Sequence, residues 1–295
     1  MQDKNSPEMN IHWYPGHMTK AKRMMDENIK LVDMVIEIID ARAPLSSRNP
    51  DIDSLAKNKY RLVLMNKSDM ADEKENVKWV KYFEDKGIRC IPVNCRNAQT
   101  IKNLDKIIKD VCKEKIERDR KRGILKRSIK IMVAGIPNVG KSTFINAISK
   151  KSSAKTGNKP GVTKGKQWIS YKGEFEFLDT PGLLWPKFDD VNTGIILAII
   201  GSVSDEILDI CALSYKLIEI LKVNYPGLIK EKFDIDESME APMILEEYTK
   251  KRNLIKTKGE IDIQRGAKLI TDDFRNVRIA RITLEKPENE PIALT

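Results

Sequence analysis

The sequence predicts an α/β domain followed by a smaller, mainly helical domain. Short apolar runs end at polar residues, as buried parallel strands do, and apolar stripes at helical spacing lie between them. This alternation is typical of a sheet with helices on both faces. After about Pro186 only helical patterns remain, which predicts domains over residues 1–186 and 187–295.

Four apolar runs are predicted as parallel strands, and two more as a hairpin around Lys172-Gly173. The runs are Val32–Ile39, Leu62–Met65, Ile88–Val93, Ile129–Ala134, Gln167–Tyr171 and Glu174–Leu178. Because ligands of such sheets bind at the carboxyl ends of the strands, we expect one site to collect the polar residues there. These residues are Asp40, Asn66, Asn94, Gly135 and Asp179.

The helices are predicted from apolar residues that recur every three or four positions. One stripe runs from Ile101 to Val111, and its helix is expected to continue into the basic stretch around residues 118–122. Another helix, roughly over residues 18–30, is expected before the first strand. In the second domain, helices are expected to begin at Ser204-Asp205-Glu206 and at Pro242.

The 295 residues carry a formal net charge of +10. Part of the excess lies between Lys113 and Lys130, where nine Lys or Arg stand against three acidic residues. A solvated lysine-rich surface and a polyanionic partner both explain such a charge. Its local concentration favours the partner, and RNA rather than DNA is expected.

Other protein classes are disfavoured. The longest strongly apolar run, Gly194–Gly201, is too short to cross a bilayer, and the N-terminus leads into no apolar signal segment. The four cysteines lack C-x-x-C spacing, which argues against a disulfide framework or a zinc site. We therefore expect a cytoplasmic protein with no membrane partner and with reduced thiols.

Three motifs of guanine-nucleotide sites occur in an unusual order. Residues 66–69 match N-K-x-D, residues 135–142 match G-x-x-x-x-G-K-S, and residues 179–182 match D-x-x-G. The N-K-x-D motif usually comes last, but here it comes first. Because all three motifs build one site, this order predicts a circularly permuted P-loop GTPase domain, with a basic joining segment over about residues 113–130.

The G-x-x-x-x-G-K-S loop is expected to join a strand to a helix, as phosphate binding requires. Its backbone N–H groups and the positive helix N-terminus attract phosphates. Lys141 would contact the β- and γ-phosphates. Further nucleotide contacts are expected from Asn138, Val139, Gly140, Ser142, Thr143 and Gly182, and Mg²⁺ ligands from Ser142, Thr163 and Asp179.

The N-K-x-D motif predicts a guanine site. The Asp69 carboxylate can accept hydrogen bonds from the N1–H and N2–H₂ groups of guanine, a donor pair that adenine lacks. Asn66 can bond the other purine edge, and the Lys67 stem can cover the ring. Asn94-Cys95 follows the next strand and is either a second base-contacting loop or an ordinary strand-to-helix turn.

Together these residues resemble the circularly permuted GTPases of ribosome assembly, and among them the bacterial ribosome biogenesis GTPase A family. The resemblance covers nearly the whole chain. It rests on residues 13–18, residues 40–50, residues 66–69, the phosphate loop, residues 159–163 and residues 179–186. The family's second base loop is Asn-Ser, whereas this chain has Asn94-Cys95; backbone contacts would survive that change.

The resemblance implies a GTPase that uses GTP and GDP, binds the large ribosomal subunit and its rRNA late in assembly, and is released on hydrolysis. It also implies a helical C-terminal domain that contacts RNA. Asn138 resembles an asparagine that helps to hold K⁺ in some related GTPases; bracing of the loop is the alternative.

Catalysis is expected to be slow without a partner, because Leu183 and Leu184 follow the D-x-x-G motif and neither can orient water. Permutation can bring His17 to the γ-phosphate, so catalytic roles are expected for His17, Lys141 and Thr163. His17 could instead cap or pack the first helix. Arg42 and Arg48 are expected either to contact phosphate or rRNA, or to pair with nearby Asp51 and Asp53.

Leu183 also keeps a second function open, an RNA-associated placeholder that uses guanine nucleotide mainly as a structural or regulatory ligand. A GTPase of tRNA modification ranks last, since the C-terminal half shows no modification domain.

Overall fold

The computed structural model describes residues 23–124, 126–149, 167–179, 191–203, 209–257 and 259–289. They form two compact units. The first, the sheet unit, contains the described residues up to Asp179 together with residues 285–289, and the second, the helical unit, contains the described residues from 191 to 284. The second domain was predicted to extend over residues 187–295, whereas in the structure the chain returns to the sheet unit at Glu285.

The described part of the sheet unit has all six predicted strands, in the order β3-β2-β1-β4-β6-β5. Neighbouring strands are parallel, except for the antiparallel hairpin of β5 and β6. The strands are β1 (Met34–Asp40), β2 (Tyr60–Asn66), β3 (Arg89–Pro92), β4 (Ile129–Ala134), β5 (Gln167–Tyr171) and β6 (Phe175–Asp179). The N-K-x-D motif follows β2 and the phosphate loop follows β4, so both leave the same edge of one sheet.

Helices cover both faces of this sheet. They are α1 (23–29), α2 (Asp51–Leu55), α3 (Glu73–Asp85), α4 (Leu104–Val111), α5 (Lys113–Lys121) and α6 (Lys141–Ser149). Residues alternate along a strand, so Val35 and Ile39 of β1 face one side, where they pack with apolar residues of α1 and α3. Met34 faces the other side, with its Sδ 3.7 Å from Cys112 Sγ.

The predicted continuous helix after Ile101 is wrong in one respect. It is divided at Cys112, where the backbone (φ −96°, ψ 15°) leaves the helical range between α4 and α5. Cys112 is fully buried, so the bend occurs where its side chain packs on the sheet.

The described part of the helical unit contains five helices. They are α7 (Val191–Ile199), α8 (Ile210–Asn224), α9 (Leu228–Phe233), α10 (Ala241–Lys251) and α11 (Ile263–Arg275). Its apolar core comes from α8, α10 and α11, which bury Leu217, Leu245 and Ile270. Pro242 lies in the first turn of α10, as predicted. The predicted start at Ser204-Asp205-Glu206 lies outside the described residues, and α8 is capped by Asp209, which accepts the N–H groups of Cys211 and Ala212.

None of the described helices combines the length and apolar character that a membrane crossing needs.

Candidate nucleotide site

The side-chain amide of Asn66 joins three loops. Asn66 ends β2 and is buried. Its Nδ2 donates to the carbonyl of Val139 in the phosphate loop (2.6 Å), and its Oδ1 accepts the N–H of Cys95 in the loop after β3 (2.9 Å). Both ends of the amide are thus engaged within the protein, and the structure brings together the segments predicted to share one site.

Gly140 is required where this contact is made. Its φ is +104°, and a Cβ at this position would lie 2.3 Å from Asn66 Nδ2. Any side chain would therefore collide with the amide that joins the loops.

Lys141 begins α6 and is directed back onto its own loop. Its Nζ donates to the carbonyls of Gly135 (2.9 Å) and Ile136 (3.1 Å). Burial lowers the pKa of Lys141 to about 8, and the charge of Asp179 opposes the shift. Burial raises the pKa of Asp179, and Lys141 opposes that shift. Lys141 and Asp179 therefore lie close enough to interact, as their positions at neighbouring strand ends predict.

The other residues of the phosphate loop lie around Lys141. Asn138 and Ser142 are exposed, Thr143 is half-buried, and Val139 is buried. Asn138 has a left-handed backbone, with φ +62°. Its exposed side chain and that of Ser142 are thus accessible to a ligand at the N-terminus of α6.

Lys67 is held by the buried carboxylate of Asp40, one of the strand-end residues predicted to share this site. Lys67 Nζ lies 2.7 Å from Asp40 Oδ2. Asp40 also receives two hydrogen bonds from the guanidinium of Arg42, at 2.9 Å and 2.8 Å. Burial alone would raise the pKa of Asp40, but Arg42 and Lys67 outweigh it and hold that pKa well below its usual range.

Two arginines of this loop form ion pairs. Arg42 pairs with Asp40, a carboxylate that neither alternative for this arginine had named. Arg48 pairs with Asp53 (2.7 Å), as one alternative had it, and also with the buried Glu37 (3.1 Å).

On the base side, Asp69 is exposed and Cys95 is buried. Burial raises the pKa of the Cys95 thiol to about 12, so the thiol stays protonated, and the backbone N–H of this residue is donated to Asn66 Oδ1. Asn94 caps its own loop: its side chain accepts the N–H of Arg96 (2.9 Å), and its carbonyl accepts the hydroxyl of Thr100 (2.8 Å). The loop is an ordered turn that also joins the base side of the site.

Three predicted site residues, His17, Thr163 and Gly182, lie outside the described residues, and so do Leu183 and Leu184. Among the residues that the structure describes, no cluster of three or more His, Cys, Asp or Glu side chains could hold a metal ion by itself.

Comparison with known proteins identifies a family of GTPases. A family model described as "50S ribosome-binding GTPase" matches residues 130–252. That match begins at β4 and leaves out residues 66–69, which in this chain precede the phosphate loop.

Curated relatives match almost the whole chain. Ribosome biogenesis GTPase A of Bacillus licheniformis is 41% identical over 282 residues, which cover 95% of this chain and 100% of the relative. The Bacillus cereus protein of that name is 42% identical and covers 95% of each chain. The Thermotoga maritima protein is 30% identical, again with 95% of each chain covered.

Solved structures show the same fold. A crystal structure of GNP-bound YlqF from T. maritima matches with a TM-score of 0.66 and 28% identity, and covers 91% of this chain and 99% of that one. A GDP-bound structure of TM YlqF matches with a TM-score of 0.67 and 26% identity, and covers 90% and 100%. With its circularly permuted P-loop domain and helical unit, the chain therefore belongs to the ribosome biogenesis GTPase A family.

Proposed function

We propose that this GTPase acts in the cytoplasm on the large ribosomal subunit, which it binds late in assembly and leaves when GTP is hydrolysed. The observation that carries the proposal is the amide of Asn66, which contacts Val139 and Cys95 and so unites the base side with the phosphate side. One nucleotide can then contact the N-K-x-D motif, the phosphate loop and the loop after β3.

Guanine selection is assigned to Asp69, which is exposed and therefore accessible to a base. It accepts from the N1–H and N2–H₂ groups of guanine. Lys67, fixed by Asp40, covers the purine ring with its alkyl stem. On the phosphate side, Lys141 exchanges the carbonyls of Gly135 and Ile136 for phosphate oxygens.

The donor set fits Mg²⁺. Ser142 offers a hydroxyl and Asp179 a carboxylate, which are the oxygen ligands of a hard cation. Mg²⁺ sites in nucleotide enzymes take one or two protein ligands and complete the shell with phosphate and water, which agrees with the lack of a self-sufficient metal cluster among the described residues. When bound, the ion neutralises phosphate charge. Thr163 is the proposed third protein ligand of Mg²⁺. A K⁺ site at Asn138 is proposed as well, and a comparison of GTP turnover in potassium and in sodium tests it.

Catalysis is assigned to His17, which we propose orients the attacking water, because Leu183 and Leu184 cannot. Turnover by the protein alone is then slow, and the large subunit accelerates it by bringing His17 into position.

The joining segment supports an RNA partner. Six exposed cations lie within residues 118–127: Arg118, Arg120, Lys121, Arg122, Lys126 and Arg127. None forms an ion pair with another residue of the described chain. The only acidic residue among them, Asp119, is buried and pairs with Lys115 (2.6 Å). Asp119 also interacts electrostatically with Arg118 and Arg127, but six cations outnumber this one carboxylate and repel one another, and RNA phosphates would relieve that repulsion.

The test measures GTP turnover with and without purified large subunits, and subunit binding with GDP and with a non-hydrolysable GTP analogue. We expect subunits to stimulate turnover and the two nucleotides to give different affinities. Absence of both effects, with guanine nucleotide still bound, would favour the RNA-associated placeholder.

A variant that lacks one positive charge of the joining segment tests the RNA contact separately from GTP hydrolysis. Arg120→Gln should reduce the slope of log affinity against log salt by about one, since each phosphate contact releases about one counterion. Turnover without subunits should not change. The matched control is Lys81→Gln, which removes an exposed lysine that is already paired with Asp85 (2.7 Å).

A further inference from the structure

The chain returns from the helical unit to the sheet unit between two consecutive residues. Leu284 belongs to the helical unit, where its carbonyl accepts from Asn224 Nδ2 (2.8 Å). Glu285 already belongs to the sheet unit and leads into a single 3₁₀ turn, Pro287–Asn289. We refer to Glu285–Asn289 as the return segment.

Glu285 is the main anchor of the return segment. Its carboxylate accepts the N–H of Leu45 (2.7 Å) and of Ser46 (3.0 Å), and also the hydroxyl of Ser46. Its carbonyl accepts the indole N–H of the fully buried Trp79 (3.1 Å). Four donors therefore converge on one residue that lies about 240 positions from the loop it contacts.

The loop held by Glu285 is the one that follows β1, residues 41–49. Some N–H groups of this loop donate to carbonyls within its own turns, as that of Ser47 does to Ala43, but those of Leu45 and Ser46 donate to the carboxylate of Glu285. Without that carboxylate, two neighbouring N–H groups of a largely buried loop would lose their acceptor.

The same loop supports the carboxylate that holds Lys67. Ser47 Oγ accepts the backbone N–H of Asp40 (2.9 Å), and Ser47 N–H donates to Ala43 (3.0 Å). Asp40 in turn lies 2.7 Å from Lys67 Nζ. An unbroken series of contacts thus runs from Glu285 through residues 45–47 and Asp40 to the lysine of the N-K-x-D motif.

We propose that Glu285 is a positioning residue for the guanine site: by fixing the loop of residues 41–49, it holds Asp40 and so sets Lys67 for contact with the purine. The inference rests on the proposed nucleotide site. It assigns to the far end of the chain a role in base binding, while the phosphate loop and Asp179 lie outside this series of contacts.

The test is a double-mutant cycle of GDP affinity measured by calorimetry on the full-length protein. Glu285→Ala should raise the Kd for GDP about 10-fold, within the range by which residues along a coupled network change affinity. Lys67→Met should raise it as well. If Glu285 acts through Lys67, adding Glu285→Ala to the Lys67→Met protein should change the Kd by less than about 2-fold.

A matched control lies in the same segment. Glu288 is exposed and pairs with Lys78 (3.0 Å), so Glu288→Gln should leave the Kd for GDP within about 2-fold. The kcat at saturating GTP should stay near the wild-type value in Glu285→Ala while KM rises, because the phosphate side is untouched. A general structural defect would instead lower kcat and leave KM unchanged, since only the folded fraction would turn over.

Glu285→Gln is a second variant, which keeps the test possible if Glu285→Ala does not fold. The amide keeps one acceptor oxygen and nearly the same shape, so a smaller rise, about 3-fold, is expected. A wild-type Kd in the Glu285 variants, with GDP bound normally by the parent, would overturn the positioning role alone. An equal effect of Glu285→Ala with and without Lys67 would overturn the route through Lys67. Failure of the parent to bind GDP would overturn the nucleotide site and this inference together.

Discussion

Asn66 Nδ2 donates a 2.6 Å hydrogen bond to the carbonyl of Val139, 73 residues further along the chain. Because Asn66 Oδ1 also accepts from Cys95, one amide fixes the spacing between the base side and the phosphate side. We expect Asn66→Ala to raise the Kd for GDP about 10- to 100-fold, as the loss of two buried hydrogen bonds implies.

The control for Asn66 is Asn103→Ala, since Asn103 is exposed and makes no capping bond with its side chain at the start of α4. Its GDP affinity should equal that of the parent. If both variants bound GDP as tightly as the parent, Asn66 would not be what holds the loops together.

Base choice should depend on Asp69. Asp69→Asn replaces an acceptor by a donor opposite the 2-position of the purine, so xanthine nucleotides, which carry an oxygen there, should bind better than guanine ones. Titration of both diphosphates into both proteins measures the change. Comparable affinities of the parent for GDP and ADP would contradict this role.

Asp40→Asn should destabilise the sheet unit. Asp40 and Arg42 are both buried, and removal of one charge leaves the other uncompensated, which costs about 3–5 kcal/mol in the free energy of unfolding. Chemical denaturation of the parent and the variant measures this difference. Asp53→Asn is the control, because that carboxylate is half-exposed and should cost far less.

The cost of Asp40→Asn should also depend on pH. The pKa of Asp40 is depressed in the folded protein, so its ionised form stabilises the fold fully above the unfolded-state pKa of about 4. As the pH falls below that value, the unfolded state takes up the proton first and the contribution declines. The two unfolding free energies should thus differ by a constant amount from pH 7 to pH 5, and the difference should shrink progressively as the pH falls below about 4 toward the folded-state pKa.

Gly266 should be intolerant of a side chain, although it lies within a helix. A Cβ there would lie 1.9 Å from Thr249 Oγ1 on α10, so Gly266→Ala forces α10 and α11 apart. We expect a loss of about 1–3 kcal/mol in the stability of the helical unit, measured by denaturation. Adding Thr249→Ala removes the colliding hydroxyl and should recover most of that loss; no recovery would mean that the helices do not meet at this point.

The sheet was predictable because each strand is an apolar run that ends in a polar residue, as Val32–Ile39 before Asp40 illustrates. The contents of the site followed from local motifs, and the convergence of Asn66, Cys95 and Val139 followed from the rule that strand ends share one edge.

The partners of the charged residues were not predictable in the same way. Asp40 could be placed in the site, but nothing local indicates that it holds both Lys67 and Arg42. Glu285 belongs to no motif and contacts a loop from the other end of the sequence, so only the three-dimensional structure identifies it. The partner of Glu37 was not predictable either. Glu37 is a buried carboxylate inside an apolar strand, and its partner Arg48 lies eleven residues away in the sequence.

The return of the chain at Glu285 makes the helical unit an insertion within the sheet unit, not an appendage to it. A stop codon at the start of the insertion would therefore remove part of its host as well, including the carboxylate that orders the loop after β1. Expression of the host alone therefore requires that Glu285 and the residues after it be kept and rejoined to the chain that precedes the insertion. For the same reason, loss of the insertion by simple truncation would also remove the hydrogen bonds that Leu45 and Ser46 of the host donate to Glu285.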